Sequence, residues 1–175
     1  MYGAESVDPN AMLSWTPGVS AVAHDVYLGT SLLDVNSATD PNVLPGRGRQ
    51  DSNSYAPAGF LEFGTTYYWR IDEVNNLDSN SPWNGSVWKF TVDDGKAKNP
   101  SPADGIENVN PDANLTWTLG ALATSRDVYF GTNFNDVASA NDSWPVGISV
   151  YKGRQGANNY DPCDLELDTN YYWRN

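Results

Sequence analysis

The sequence predicts an all-β chain of two tandem β-sandwich domains, the second cut short before its last strand. Three observations carry this. A long stretch occurs twice: Val7–Asp8–Pro9–Asn10–Ala11–Met12–Leu13–Ser14–Trp15–Thr16 returns as Val109–Asn110–Pro111–Asp112–Ala113–Asn114–Leu115–Thr116–Trp117–Thr118. Short runs rich in Val, Tyr, Trp, Phe and Thr alternate with Pro, Gly, Asn and Asp clusters, the pattern of strands and turns. A repeat period of roughly 100 residues is too long for a solenoid unit and fits a whole sandwich domain.

In the first copy, Ala11–Thr16 is the first predicted strand, with Leu13 and Trp15 on one face. His24–Thr30 is the second, Val26 and Leu28 facing in and Asp25 and Tyr27 facing out, because successive strand residues point to opposite sheet faces. Leu32–Val35 is a candidate for one helical turn, as is its counterpart Phe134–Val137. A long Asn/Asp/Pro/Gly loop is expected to follow, before a third segment at Ser54–Tyr55. Thr66–Val74 is a long strand with Tyr67, Trp69 and Ile71 on one face, and Val87–Val92 closes the domain with Trp88, Phe90 and Val92 inward. The spacing of Leu61, Thr65 and Tyr67 recurs as Leu165, Thr169 and Tyr171. It fits a tyrosine corner, in which the hydroxyl of a Tyr near the start of a strand reaches back to the preceding turn.

The organisation follows: repeat one over residues 1–93, a semi-stiff Pro-containing linker and lead-in over 94–102, and repeat two over 103–175. Nothing after Arg174 matches Ile71–Val74 or Val87–Val92, and only Met1–Tyr2 stands opposite the lead-in Asn99–Asp104. The chain is therefore expected to be a piece of a longer protein, with a less stable or self-associating second repeat, since an uncovered sheet edge invites pairing.

Strand order, the motifs Asp127–Val128–Tyr129–Phe130–Gly131–Thr132 and Thr65–Thr66–Tyr67–Tyr68–Trp69–Arg70–Ile71–Asp72–Glu73–Val74, and the closing Val87–Val92 resemble fibronectin type III domains, which are immunoglobulin-like sandwiches. The wording is closest to fibronectin type III-like repeats of large exported bacterial proteins. The resemblance implies an extracellular or cell-surface setting, neighbouring domains of the same polypeptide as partners, and a non-catalytic spacer or interaction role. It also leaves open a carbohydrate-binding or adhesion module, with a polysaccharide or cell-surface protein as partner, and an accessory region of an extracellular polysaccharide-degrading enzyme. The architecture hosts many functions and does not choose among them.

Composition narrows the field. Ten Lys and Arg against 22 Asp and Glu give a formal net charge of −12. That charge repels phosphate backbones and anionic membrane surfaces, so nucleic acid is not an expected partner. No apolar run is long enough for a membrane span, and no secretory signal pattern opens the chain. The single cysteine, Cys163, excludes an internal disulfide.

No catalytic constellation is apparent. The one histidine, His24, is replaced by Arg126 in the second copy, and a nucleophile system would need that ring. Asp72 and Glu73 are adjacent and so face opposite sides of a strand, which prevents them from acting as a glycosidase pair by themselves. Asn76, Asp78 and Asn80 have the alternate spacing of a calcium loop, but Ser81 and Val87 stand where Gly and Glu are required. No metal or cofactor is expected.

The remaining candidates are aromatic and basic. Asp25, Tyr27, Tyr68, Arg70 and Lys89 are expected on one exposed sheet face, repeated as Asp127, Tyr129, Tyr172 and Arg174. Such a face either stacks on sugar rings and binds their hydroxyls, or forms a cross-strand ladder in which Asp pairs with Arg and Tyr covers the Arg stem. Its recurrence in both copies favours the ladder. Trp83 and Trp144 lie in loops beside prolines, outside the strand pattern, and are the better recognition candidates for that reason.

Overall fold

The computed structural model describes residues 3–141 and 150–175. The chain is predominantly β, with two short helices, and divides into two compact units, Met1–Asp94 and Gly95–Asn175.

Unit one contains β1 (Ala4–Val7), β2 (Leu13–Ser14), β3 (Ala23–Gly29), α1 (Leu32–Ser37), β4 (Gly46–Gln50), β5 (Ser54–Tyr55), β6 (Thr66–Val74) and β7 (Trp88–Val92). Five strands form one sheet in the order β1-β7-β6-β3-β4, and β2 pairs with β5 in a second. β3 and β6 are antiparallel over seven residue pairs, from Ala23 opposite Val74 to Gly29 opposite Tyr68. The alternation read from the sequence produces the core. Val26 and Leu28 of β3, Trp69 and Ile71 of β6, and Phe90 and Val92 of β7 bury one face of the large sheet against Leu13 and Leu61. Trp15, Tyr55, Tyr67 and Trp88 pack around this cluster.

Unit two contains β8 (Lys98–Ser101), β9 (Leu115–Thr118), β10 (Arg126–Gly131), α2 (Phe134–Ser139), β11 (Tyr151–Gln155), β12 (Asn159–Tyr160) and β13 (Tyr172–Arg174). Its sheets run β11-β10-β13 and β12-β9-β8. Leu115, Trp117, Val128 and Phe130 form its core with Leu165, Tyr171 and Trp173 around them.

Both predicted tyrosine corners close. The Glu62 N–H donates to the Tyr67 hydroxyl at 3.2 Å, and the Glu166 N–H to that of Tyr171 at 3.0 Å. The rings stack on Phe90 and Phe130 with centroids 5.7 and 5.1 Å away. Both predicted helical turns also form. Each starts at a polar N-cap, since the side-chain oxygens of Ser31 and Asn133 accept backbone N–H groups of the first turn.

Three expectations need correction. Lys98–Ser101, read as linker, is strand β8, hydrogen-bonded along β9. The first predicted strand shrinks from Ala11–Thr16 to Leu13–Ser14. The long loop after α1 ends in β4, which pairs with β3. Gly48 disguises that strand: at φ +97° it occupies a backbone region open mainly to glycine, beside a register shift between Asp25 and Tyr27. Gly153 repeats it at φ +112°, beside the shift between Val128 and Tyr129.

Candidate functional site

The outward row of β3 and β6 is where the sequence places its recurring polar and aromatic residues. The structure brings Asp25, Tyr27, Arg70 and Asp72 together there but does not expose them. Tyr27 and Asp25 are 1% exposed and Arg70 and Asp72 2%. The expectation of an open face is therefore overturned for Asp25, Tyr27 and Arg70, while Lys89 of the same set stays exposed, and the cause is local. α1 lies over the row, with Val35 fully buried beneath it. A side chain at Gly29 would approach within 3.2 Å of Pro45 and 3.4 Å of Val35, so the small residue lets helix and strand come together.

Arg70 ties the helix to the sheet. Its Nε and Nη2 donate to the two carboxylate oxygens of Asp72 at 2.8 and 2.9 Å. Its Nη1 donates to the carbonyls of Val35 and Asn36 at 2.8 and 2.6 Å, and Nη2 to that of Ala38 at 2.6 Å. These are the carbonyls that the end of a helix leaves without intrahelical partners. The guanidinium carbon lies 4.4 Å from the centre of the Tyr27 ring, within cation–π range. Burial pushes the Asp72 carboxyl above its usual range, opposed by the Gly85 N–H at 3.0 Å and by Arg70. The Tyr27 hydroxyl is pushed up, first by burial and then by Asp72 and Asp25.

Asp25 is held by Arg49 of β4 in a two-pronged pair at 2.7 and 2.9 Å. Arg49 was missed in the sequence. The signal was the recurrence of Gly48–Arg49–Gln50 as Gly153–Arg154–Gln155.

Unit two repeats the Tyr–Arg contact and the helix tie in a more open form, with Arg174 exposed. Tyr129 is 4% exposed, and the Arg174 guanidinium lies 4.4 Å from its ring centre. Arg174 donates to the carbonyls of Val137, at 2.8 Å, and Ala140 at the end of α2. Arg154 pairs with Asp127 at 3.0 and 2.7 Å, and the Tyr151 hydroxyl donates to Asp127 at 2.9 Å. Arg154, with help from Tyr151, holds the Asp127 carboxyl below its usual range.

Tyr68 and Tyr172 stay half-buried at the margin of this face, Tyr68 opposite Gly29 and Lys89, and Tyr172 edge-on to Phe134 at 5.5 Å. Trp83 is half-buried as well. Its loop is pinned to β6 by paired backbone bonds with Glu73 at 2.9 and 3.0 Å. Trp144 lies outside the described residues.

On the opposite face of the sheet, His24 is 3% exposed. Its Nδ1 is 2.7 Å from Glu73 Oε2, and Trp15 meets the ring edge-on at 5.3 Å. Glu73 also accepts the Gly18 N–H at 3.2 Å. The ring is thus locked at one end of the core and presents no open nucleophile partner. Asp72 and Glu73 do face opposite sides of β6, one to Arg70 and one to His24. Asp78 folds its own loop by accepting the Asn80 N–H at 2.9 Å. Among the described residues, no group of three or more His, Cys, Asp or Glu side chains is placed to hold a metal ion. No helix among them is long and apolar enough to cross a membrane.

Cys163 is exposed, with φ +64°, at the position of Gly59, φ +83°. The site asks for a left-handed backbone in both units and not for a thiol.

Compared with protein-family models, curated proteins and solved structures, the chain matches none.

Proposed function

We propose that this chain is a non-catalytic spacer region, two fibronectin type III-like modules of a larger secreted or cell-surface bacterial protein. The observation that carries the reading is the internal use of the recurring polar set. In each unit the Tyr–Arg pair, Tyr27 with Arg70 and Tyr129 with Arg174, is spent on fastening a helix to a sheet. Residues that fasten the fold must recur in every module, whereas a ligand site need not. The carboxylates that chemistry would require are likewise engaged: Asp72 with Arg70, Glu73 with His24, Asp25 with Arg49.

The test is a turnover assay of the intact chain on panels of polysaccharides and peptides. The spacer reading predicts no hydrolysis above buffer. Hydrolysis that disappears in Glu73→Gln, with the fold retained, would replace it with an enzymatic reading.

A further inference from the structure

Asn–Gly occurs once in the sequence, as Asn84–Gly85, in the stretch between β6 and β7. Asn84 is exposed. Asparagine is among the heat-labile residues, and a following glycine leaves the next backbone nitrogen unhindered. In such a pair the glycine nitrogen attacks the carbonyl carbon of the asparagine side chain. A C–N bond forms, the amide proton passes to water and the side-chain nitrogen leaves as ammonia. Water then opens the cyclic imide at either carbonyl, leaving aspartate or isoaspartate at the asparagine position.

Packing is what demands the glycine. A Cβ at Gly85 would overlap the carbonyl oxygen of Ile71 in β6, so the loop lies too close to the strand for a larger residue. The same closeness holds the reactive atoms still. The Gly85 N–H donates to Asp72 Oδ1 at 3.0 Å. Asp72 is itself fixed by the two bonds from Arg70. On the other side of Asn84, Trp83 exchanges two backbone bonds with Glu73, at 2.9 and 3.0 Å. Asn84 is thus strung between two anchored neighbours and cannot turn freely to bring its side chain onto the Gly85 nitrogen. That nitrogen must also shed its proton to attack, and a negative charge forming there faces a carboxylate oxygen, which disfavours it.

We propose that Asn84 is a self-modification site that β6 keeps latent, with Asp72 as the latch on the attacking nitrogen. Opening of the loop releases the Gly85 nitrogen and starts the reaction. The change is one-way. Either product adds a negative charge beside Trp83. Isoaspartate also adds a backbone atom between Trp83 and Gly85, so that both anchors no longer fit β6 together. This goes beyond the spacer reading and does not depend on it.

The test incubates the intact chain in warm neutral buffer beside capped Trp-Asn-Gly-Ser-Val, the sequence of residues 83–87. Mass-spectrometric peptide mapping follows aspartate and isoaspartate at the Asn84 position in both. The reaction in the chain should run at least about tenfold slower than in the peptide, because it waits on local opening. The Gly85 amide should exchange with solvent as slowly as the amides of β6. The double variant Arg70→Met with Asp72→Leu removes the acceptor, and should modify Asn84 at least about fivefold faster than the unaltered chain, as loss of a hydrogen bond to a charged group implies. Equal rates in chain and peptide, or rapid exchange of the Gly85 amide, would overturn the proposal, and neither needs a variant that folds. A peptide that stays unmodified would overturn it too, as would a folded double variant that modifies Asn84 no faster than the unaltered chain.

Discussion

Replacing Arg70 with methionine keeps much of the stem that covers Tyr27 and removes the charge. Five hydrogen bonds go with it, two to Asp72 and three to the carbonyls of Val35, Asn36 and Ala38. The Asp72 carboxylate, 2% exposed, then keeps the hydrogen bond from the Gly85 N–H at 3.0 Å and loses its countercharge. Breaking a buried pair from one side costs about 3–5 kcal/mol. In a unit of this size each kcal/mol lowers Tm by roughly 4–8 °C. Unit one should therefore melt at least about 12 °C lower, and amide exchange across β3, β6 and α1 should accelerate while that of unit two does not. The double variant Arg70→Met with Asp72→Leu should recover half or more of the loss, because an apolar pair of similar volume is often no worse than a buried ion pair. Calorimetry with residue-resolved hydrogen exchange reads both. A fall of less than about 3 °C for Arg70→Met, or a double variant less stable than the single, would refute the view that Arg70 is a structural clamp.

Other expectations are more local. Removing the corner hydroxyls, Tyr67→Phe and Tyr171→Phe, should each cost about 1 kcal/mol and speed exchange of the Glu62 and Glu166 amides; unchanged exchange would contradict the corner geometry. Gly48→Ala places its Cβ in open space at φ +97°, so its cost is backbone strain alone, about 1–3 kcal/mol by denaturant unfolding. Asp127 and Asp72 should respond to acid with opposite sign. The Asp127 pKa is held down by Arg154, so its contribution to unit two is present above about pH 4, the unfolded value, and is lost as pH falls through the lower folded value. The Asp72 pKa is raised by burial, so protonation between its folded value and about pH 4 relieves unit one. Carboxyl NMR titrations that place both groups on the same side of the unperturbed value would refute this.

What could be read from the sequence follows from what strand alternation encodes. Inward rows such as Val26, Leu28, Trp69, Ile71, Phe90 and Val92 are set by the period-two pattern and by burial, and they pack as the pattern implies. The corners were legible because a tyrosine hydroxyl and a turn N–H are neighbours in sequence. The outward row was legible as a set, but its burial was not. Alternation separates two faces without saying what covers either, and a six-residue helix contributes only one fully buried side chain, Val35. Strand β4 was hidden because Arg47, Gly48, Arg49 and Gln50 carry no apolar alternation; it is held by pairing with β3 and by the charge of Asp25. Lys98–Ser101 looked like a linker because Pro100 is uncommon in a strand, yet an edge strand tolerates it.

On the proposed reading, the recurring Tyr, Arg and Asp residues serve the fold, and the chain spaces other domains without binding sugars itself. A glycan-array screen of the folded, intact chain, with and without calcium, tests it most directly. A spacer gives a blank array in both conditions. Reproducible binding to one sugar class, lost in Tyr68→Ala or Trp83→Ala with the fold intact, would contradict it and make the half-buried aromatics a binding site.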